Sequence, residues 1–240
     1  MSRNILAIVE GDSKEPALLK KLFDIYNISD REIFSYGATV HDLYDKIEKE
    51  YGAEYEDIDI ILFLKSLNKE KYKDILEKKY TDIILIFDFD PQDNRYSAEK
   101  LEFMMKVFSN TVERGRLYIN YPMVEAFYHI QDLNTEQFLE STVAYEDLGV
   151  YKHIVDGVSV INQNDKLNKD VASRIIQLSI KKLEKITGRN LEDDLYSTLC
   201  VCMKNQIQML SKEKCFYILA TFEFVLYEYN SKIFQWRLRK

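Results

Sequence analysis

The stretch Asp82-Ile83-Ile84-Leu85-Ile86-Phe87-Asp88-Phe89-Asp90 decides the fold. An apolar run climbs into two carboxylates separated by a single phenylalanine. A run this short, β-branched and aromatic, with polar residues at both ends, reads as a strand buried on both faces of a parallel sheet. Pro91 stops it directly after Asp90, because proline cannot donate to a strand ladder. In open α/β sheets, ligands sit just beyond the carboxyl ends of the strands, and alternate residues of a strand point the same way. Asp88 and Asp90 therefore aim at one point, and two hard oxygen ligands at one point suit Mg²⁺ or Mn²⁺.

Toward the N-terminus, Asn4 to Val9 (NILAIV) is a second apolar run, ending in Glu10-Gly11-Asp12-Ser13. Ser13 fits an N-cap, Glu15 and Pro16 fit a first helical turn, and Leu18, Leu19, Leu22, Phe23 and Tyr26 fall on one helical face. Strand, turn and helix make the first half of a βαβ unit, with Glu10 in the same kind of position as Asp88. Arg31 to Gly37 reads as another short strand, and Thr39 caps a helix whose apolar face is Val40, Leu43, Tyr44 and Ile47. Asp57 to Leu67 fits either a strand or a helix. The helix is favoured because Lys69 to Lys79 continues as a charged helix, giving a helical insertion over about 53–80 before the Asp88 strand.

Beyond Asp90, a helix is expected over Ser97 to Phe108, a fourth strand over Arg116 to Asn120, and a helix opened by Pro122 that places Glu125 and His129 on one face. From about Glu136 the strand pattern stops. Lys166 to Ile186, Glu192 to Leu210 and Lys212 to Tyr229 read as helices, with Gly188 ending the first. The expected architecture is α/β: a mostly parallel four-stranded sheet flanked by helices over 1–130, and a mainly α-helical region over 131–240.

Composition narrows the classes. Of 240 residues, 46% are hydrophobic and 30% charged, enough for a sizeable core. Seven Gly and three Pro are few, which favours helix over a turn-rich β-sandwich. The net charge of −7 excludes a bulk polycation, so any nucleic acid must be held by a local basic patch or a metal. Cys200, Cys202 and Cys215 lack nearby histidines and read as reduced core thiols. With no signal peptide before Asn4 and no long apolar run, a cytoplasmic protein without a membrane segment is expected.

Glu10, Asp88, Asp90 and Glu125 thus stand at or just after strand ends, with Asp93 a possible fifth member. Repeated carboxylates in such positions point to divalent-metal phosphoryl chemistry. Each has a plainer reading: an acid favoured by a helix dipole for Glu10, an Asx-turn for the Asp pair, and a turn residue for Asp93. Two acids at one buried strand end repel, and a bound cation is the simplest relief. Lys14 is a candidate for substrate phosphate, against a solvated helix lysine. His129 reads first as a satisfied helical histidine, and the basic tail Trp236-Arg237-Leu238-Arg239-Lys240 as a solvated end.

An apolar strand ending in Glu-Gly, a helix, and a later strand ending in Asp-x-Asp resembles the Toprim domain of topoisomerases, bacterial primases and OLD-family nucleases. The match extends to RloB-like proteins and, more loosely, to the Toprim effector of the PARIS phage-defence system. Glu10-Gly11-Asp12-Ser13-Lys14-Glu15-Pro16 matches the RloB-type Glu-Gly-x-x-x-Glu-Pro, and Pro122-Met123-Val124-Glu125 matches a later Pro-x-x-Glu. The resemblance covers roughly residues 4–130. It implies that Glu10 is the general acid or base and that Asp88 and Asp90 hold Mg²⁺ or Mn²⁺, with Glu125 and Asp93 as further ligands or supporting groups. It also implies an antiphage nuclease acting on RNA, tRNA included, or on DNA, with an ABC/SMC-like ATPase partner and the option of a homo-oligomer. The competing reading is a non-catalytic Toprim-fold regulatory or binding subunit. Primase or topoisomerase chemistry is disfavoured, because no zinc-binding or Tyr-bearing accessory domain is legible.

Overall fold

The computed structural model describes residues 4–52, 55, 58–67, 69–161, 166–191 and 194–229. The tail 236–240 and part of the 53–80 stretch lie outside them. Two compact units divide the chain: residues 1–17 with 29–118, and residues 18–28 with 119–240.

The first unit holds a five-stranded sheet in the order β2-β1-β3-β5-β4, where the sequence predicted four strands. Its strands are β1 (Ile5–Val9), β2 (Arg31–Ser35), β3 (Asp82–Asp88), β4 (Ser109–Asn110) and β5 (Gly115–Asn120). β1 pairs in parallel with β2 on one side and β3 on the other, Val9 lying opposite both Ser35 and Ile86. Every residue of β1 and β3 is buried, as unbroken apolar runs require in a sheet covered on both faces. The additional strand, β4, is two residues long and antiparallel to β5, too short to leave a periodic signal. Gly115 opens β5 at φ +106, and a Cβ there would sit 2.5 Å from Leu85 Cδ1, so both backbone and packing demand glycine.

The helices of this part follow from their caps. The chain leaves β1 into α1 (Lys14–Ile25), whose residues from Leu18 on are counted with the second unit. Thr39 caps α2 (Val40–Tyr51), accepting from the Asp42 N–H, and Ser97 caps α5 (Ala98–Val107), accepting from the Lys100 N–H. α2 and α5 lie against each other through Tyr44 and Phe103, edge to face at 5.5 Å, and through Lys100 and Asp45 at 2.7 Å. Between α2 and β3 the chain forms α3 (Ile60–Ser66), a 3₁₀ turn (Glu70–Tyr72) and α4 (Lys73–Leu76). The helical reading of Ile60 to Ser66 holds. The single charged helix expected over Lys69 to Lys79 is instead two short pieces.

The second unit contains α6 (Tyr151–Val158), α7 (Lys169–Thr187), α8 (Leu195–Glu213) and α9 (Phe224–Tyr229), with a two-stranded antiparallel sheet of β6 (Thr142–Ala144) and β7 (Cys215–Tyr217). Gly188 ends α7 in the left-handed conformation, as predicted. The predicted helix over Lys212 to Tyr229 is not formed. α8 runs on to Glu213, Lys214 turns the chain at φ 57, and Cys215-Phe216-Tyr217 becomes strand. Residues beyond it continue alongside Asn120: Leu219 and Tyr121 exchange backbone hydrogen bonds of 2.8 Å, and the Thr221 N–H donates to Asn120 Oδ1 at 3.1 Å. The Gln206 side chain locks the reversal, bonding both backbone groups of Tyr217 at 2.9 Å. The α-helix expected after Pro122 is a 3₁₀ turn over Val124–Tyr128 that follows a cis Tyr121-Pro122 peptide. All three cysteines are free, with Cys215 on a strand rather than a helix.

Lys182 of α7 is fully buried and donates to Phe138 O, Ser141 O and Ser141 Oγ, each at 2.7 Å. Its Nζ also lies 4.2 Å from the Phe138 ring centroid, and burial lowers its pKa well below the ordinary lysine value. Removing the donor strands buried carbonyls. Lys182→Met is therefore expected to lower the unfolding free energy by about 2–4 kcal/mol in urea titrations. A change within about 0.5 kcal/mol, the range of an ordinary surface substitution, would contradict the role of this clamp.

Candidate functional site

The strand order places a topological switch beside β1: the chain moves from β1 to β2 on one side, and its next strand, β3, lies on the other. Crevices at the carboxyl ends of such strands are where open α/β sheets bind ligands. Glu10 and Asp88 stand at that end of the two neighbouring strands. The Glu10 N–H donates to Ile86 O at 3.1 Å, and Glu10 Oε2 accepts the Asp88 N–H at 3.1 Å. Asp88 is buried, and Asp90 follows two residues on with φ 41. Left-handed backbone at a non-glycine residue costs about 1–2 kcal/mol and persists only where its surroundings impose it.

Burial raises the Glu10 carboxyl to about 8, with the negative charge of Asp90 adding to it and the Asp88 N–H opposing it. Glu15 and Asp93 contribute in the same direction as Asp90. Glu15 folds back over Gly11, where any Cβ would overlap its carboxylate. The glycine of Glu10-Gly11 thus makes room for a second acid beside the first.

Asp93 is engaged differently. Its carboxylate takes a two-pronged contact from Arg95, Nε to Oδ1 at 2.9 Å and Nη2 to Oδ2 at 2.7 Å, and accepts from Thr39 Oγ1 at 2.8 Å. The guanidinium holds it well below the usual carboxylate range. Arg95 also reaches Asp42 Oδ1 at 2.9 Å, and the Tyr36 hydroxyl donates to Asp42 Oδ2 at 2.8 Å. Asp93 therefore ties the turn after β3 to the start of α2.

Three further groups at this end of the sheet carried no sequence signal. His41, on the first turn of α2, is buried against the β3 tip. Lys69, from the insertion, donates to Ser35 O at 3.1 Å and to Tyr36 O, over the rings of Phe34 and Tyr36. Lys71 lies 3.4 Å from Asp12, in the loop after β1. Each becomes visible only when the insertion and α2 are folded onto the sheet. Lys14 is exposed as the first residue of α1.

Glu125 belongs to the second unit. It is buried and ion-paired with Lys152 at 3.4 Å. His129 lies just past the 3₁₀ turn, stacked on Tyr151 with ring centroids 5.7 Å apart. Because a 3₁₀ turn repeats every three residues, the shared face predicted from an α-helical spacing is not present.

Among the described residues, no group of three or more His, Cys, Asp or Glu side chains is placed to hold a metal ion by itself. Mg²⁺ needs only one or two protein carboxylates, with waters and substrate phosphates completing its shell. Comparison of the chain with protein-family models, with curated proteins and with solved structures found no match in any of the three.

The Glu10 carboxyl gives a stability signature. Its ordinary value is near 4.5 and its folded value about 8. Between these the folded protein keeps a proton that the unfolded chain has released. Stability is then full below the lower value and falls with rising pH until the upper, by at most about 1.4 kcal/mol per pH unit. Glu223, fully buried in the second unit and raised to about 8 by burial, adds a slope of the same sign. In urea titrations from pH 5 to 9 with chelator present, Glu10→Gln and Glu223→Gln should each flatten this decline. An unchanged slope in Glu10→Gln would contradict the burial and crowding described at this carboxyl.

Proposed function

We propose that this chain is a Toprim-type, Mg²⁺- or Mn²⁺-dependent nuclease that cleaves phosphodiesters in RNA, tRNA included, or in DNA. The single observation carrying the proposal is Glu10 seated against Asp88 at the switch point, with its proton held to about 8. A group titrating there is suited to give or take a proton near neutral pH.

In this reading Asp88 and Asp90 hold the metal, with Glu10 beside them. The bound ion would polarise the phosphate and balance the charge that develops on it. Glu10 donates its proton to the leaving oxygen as the P–O bond breaks; water supplies the oxygen of the new P–O bond and releases its proton to solvent, from which Glu10 is reprotonated. Asp93 and Arg95 hold the turn that carries Asp90. Lys14, exposed at the start of α1, is the proposed contact for a substrate phosphate. With a net charge of −7, the chain depends on that metal or on a partner to hold a polyanion. The wider proposal is an effector of prokaryotic antiphage defence, cytoplasmic, with an ABC/SMC-like ATPase partner and assembly as a homo-oligomer.

One observation favours a second reading. Arg95 already balances Asp93 and Asp42 at this end of the sheet, as in a non-catalytic Toprim-fold regulatory or binding subunit whose acids serve structure.

Purified protein with Mg²⁺ or Mn²⁺, alone and with its candidate ATPase partner, is expected to cut RNA or DNA. Glu10→Gln and Asp88→Asn should each reduce cutting by about 100-fold or more while the circular dichroism spectrum stays unchanged. Undiminished cutting in both variants would remove this site from the chemistry. Absence of cutting by the wild type, with full biological activity in Asp88→Asn, would establish the non-catalytic reading.

A further inference from the structure

We propose that His41 is a positioning residue that fixes the left-handed turn at Asp90 and thereby aims its carboxylate. Its purpose, though not its geometry, rests on the reading of Asp90 as a metal ligand.

The imidazole is 1% exposed, on the first turn of α2, with Nε2 3.3 Å from the carbonyl oxygen of Phe89. That carbonyl belongs to the peptide that leads into Asp90. Nδ1 is buried and has no hydrogen-bond partner among the described residues. A proton on Nδ1 would be a buried donor with nowhere to go, so the neutral ring carries its proton on Nε2 and donates to Phe89.

The ring is fixed in place by aromatic contacts. It meets Tyr96 edge-on at 5.6 Å, and Tyr96 meets Phe89 edge-on at 5.7 Å. Asp90 itself has φ 41, and its carbonyl accepts the Asp93 N–H at 3.1 Å. The strained residue is thus held from both sides: by His41 at the peptide before it and by the Asp93 turn after it. A histidine present only to fill space would be replaceable by leucine. One that acts through Nε2 requires a donor at that reach from the backbone. Glutamine places an amide N–H where Nε2 stands, whereas asparagine places one near Nδ1.

The test compares wild type, His41→Gln, His41→Asn and His41→Leu. Backbone chemical shifts of Asp90 in metal-free protein report its φ, and Mn²⁺ binding is followed by electron paramagnetic resonance. His41→Gln should keep the left-handed signature and bind Mn²⁺ within about threefold of wild type. His41→Asn and His41→Leu should lose the signature and about tenfold or more in Mn²⁺ affinity, as for other groups that orient metal ligands. If His41→Leu does not fold, the contrast between the Gln and Asn variants decides. Retention of the signature in folded His41→Leu or in His41→Asn, or its loss in His41→Gln, would overturn the inference. A wild type that binds no Mn²⁺ would instead count against the metal reading, and the Asp90 shifts would still decide the role of His41.

Discussion

A carboxyl group kept largely out of water beside other acids is costly as an anion, and that constraint shapes this end of the molecule. The parallel pairing of β1 with β3 puts Glu10 where its carboxylate accepts the N–H of Asp88. The bond is favourable for the charged form, but burial and the nearby acids outweigh it, and the carboxyl holds its proton to about 8. The group therefore titrates well above the range of acids on open surfaces.

The surroundings divide into groups that add negative charge and groups that hold geometry. Glu15, folded over Gly11, and Asp90 add charge. Arg95 neutralises Asp93 and Asp42 and joins the turn after β3 to the cap of α2. Lys69 and Lys71 bring positive charge from the insertion to the ends of β2 and β1. Exposed ion pairs such as Lys71–Asp12 contribute little to stability; their interest is that they set the field around the crevice.

Much of this was legible in the sequence. The apolar runs at Ile5–Val9 and Asp82–Asp88 are strands because nothing but a doubly covered sheet accommodates them, and their ends placed Glu10 and Asp88 together. Caps such as Thr39 and Ser97 marked helix starts. Other features left no local signal. β4 is too short for periodicity. α8 ends at Lys214, a residue without the usual stop chemistry of glycine, so the aromatic strand Cys215–Tyr217 was absorbed into a helix. Here tertiary pairing overrode propensity. His41 was hidden because a polar residue at a buried position breaks the helical pattern without naming its partner. Arg95 and Lys69 act across gaps of more than 30 residues, which no window on one sequence can see.

The central claim is that the carboxyl ends of β1 and β3 form a divalent-cation site. Crystals grown with Mn²⁺ would test it by anomalous scattering. The account predicts a peak within about 2.0–2.6 Å of an Asp88 or Asp90 carboxylate oxygen and close to Glu10. A map with no peak there at saturating Mn²⁺, or with Mn²⁺ bound only elsewhere on the chain, would contradict it.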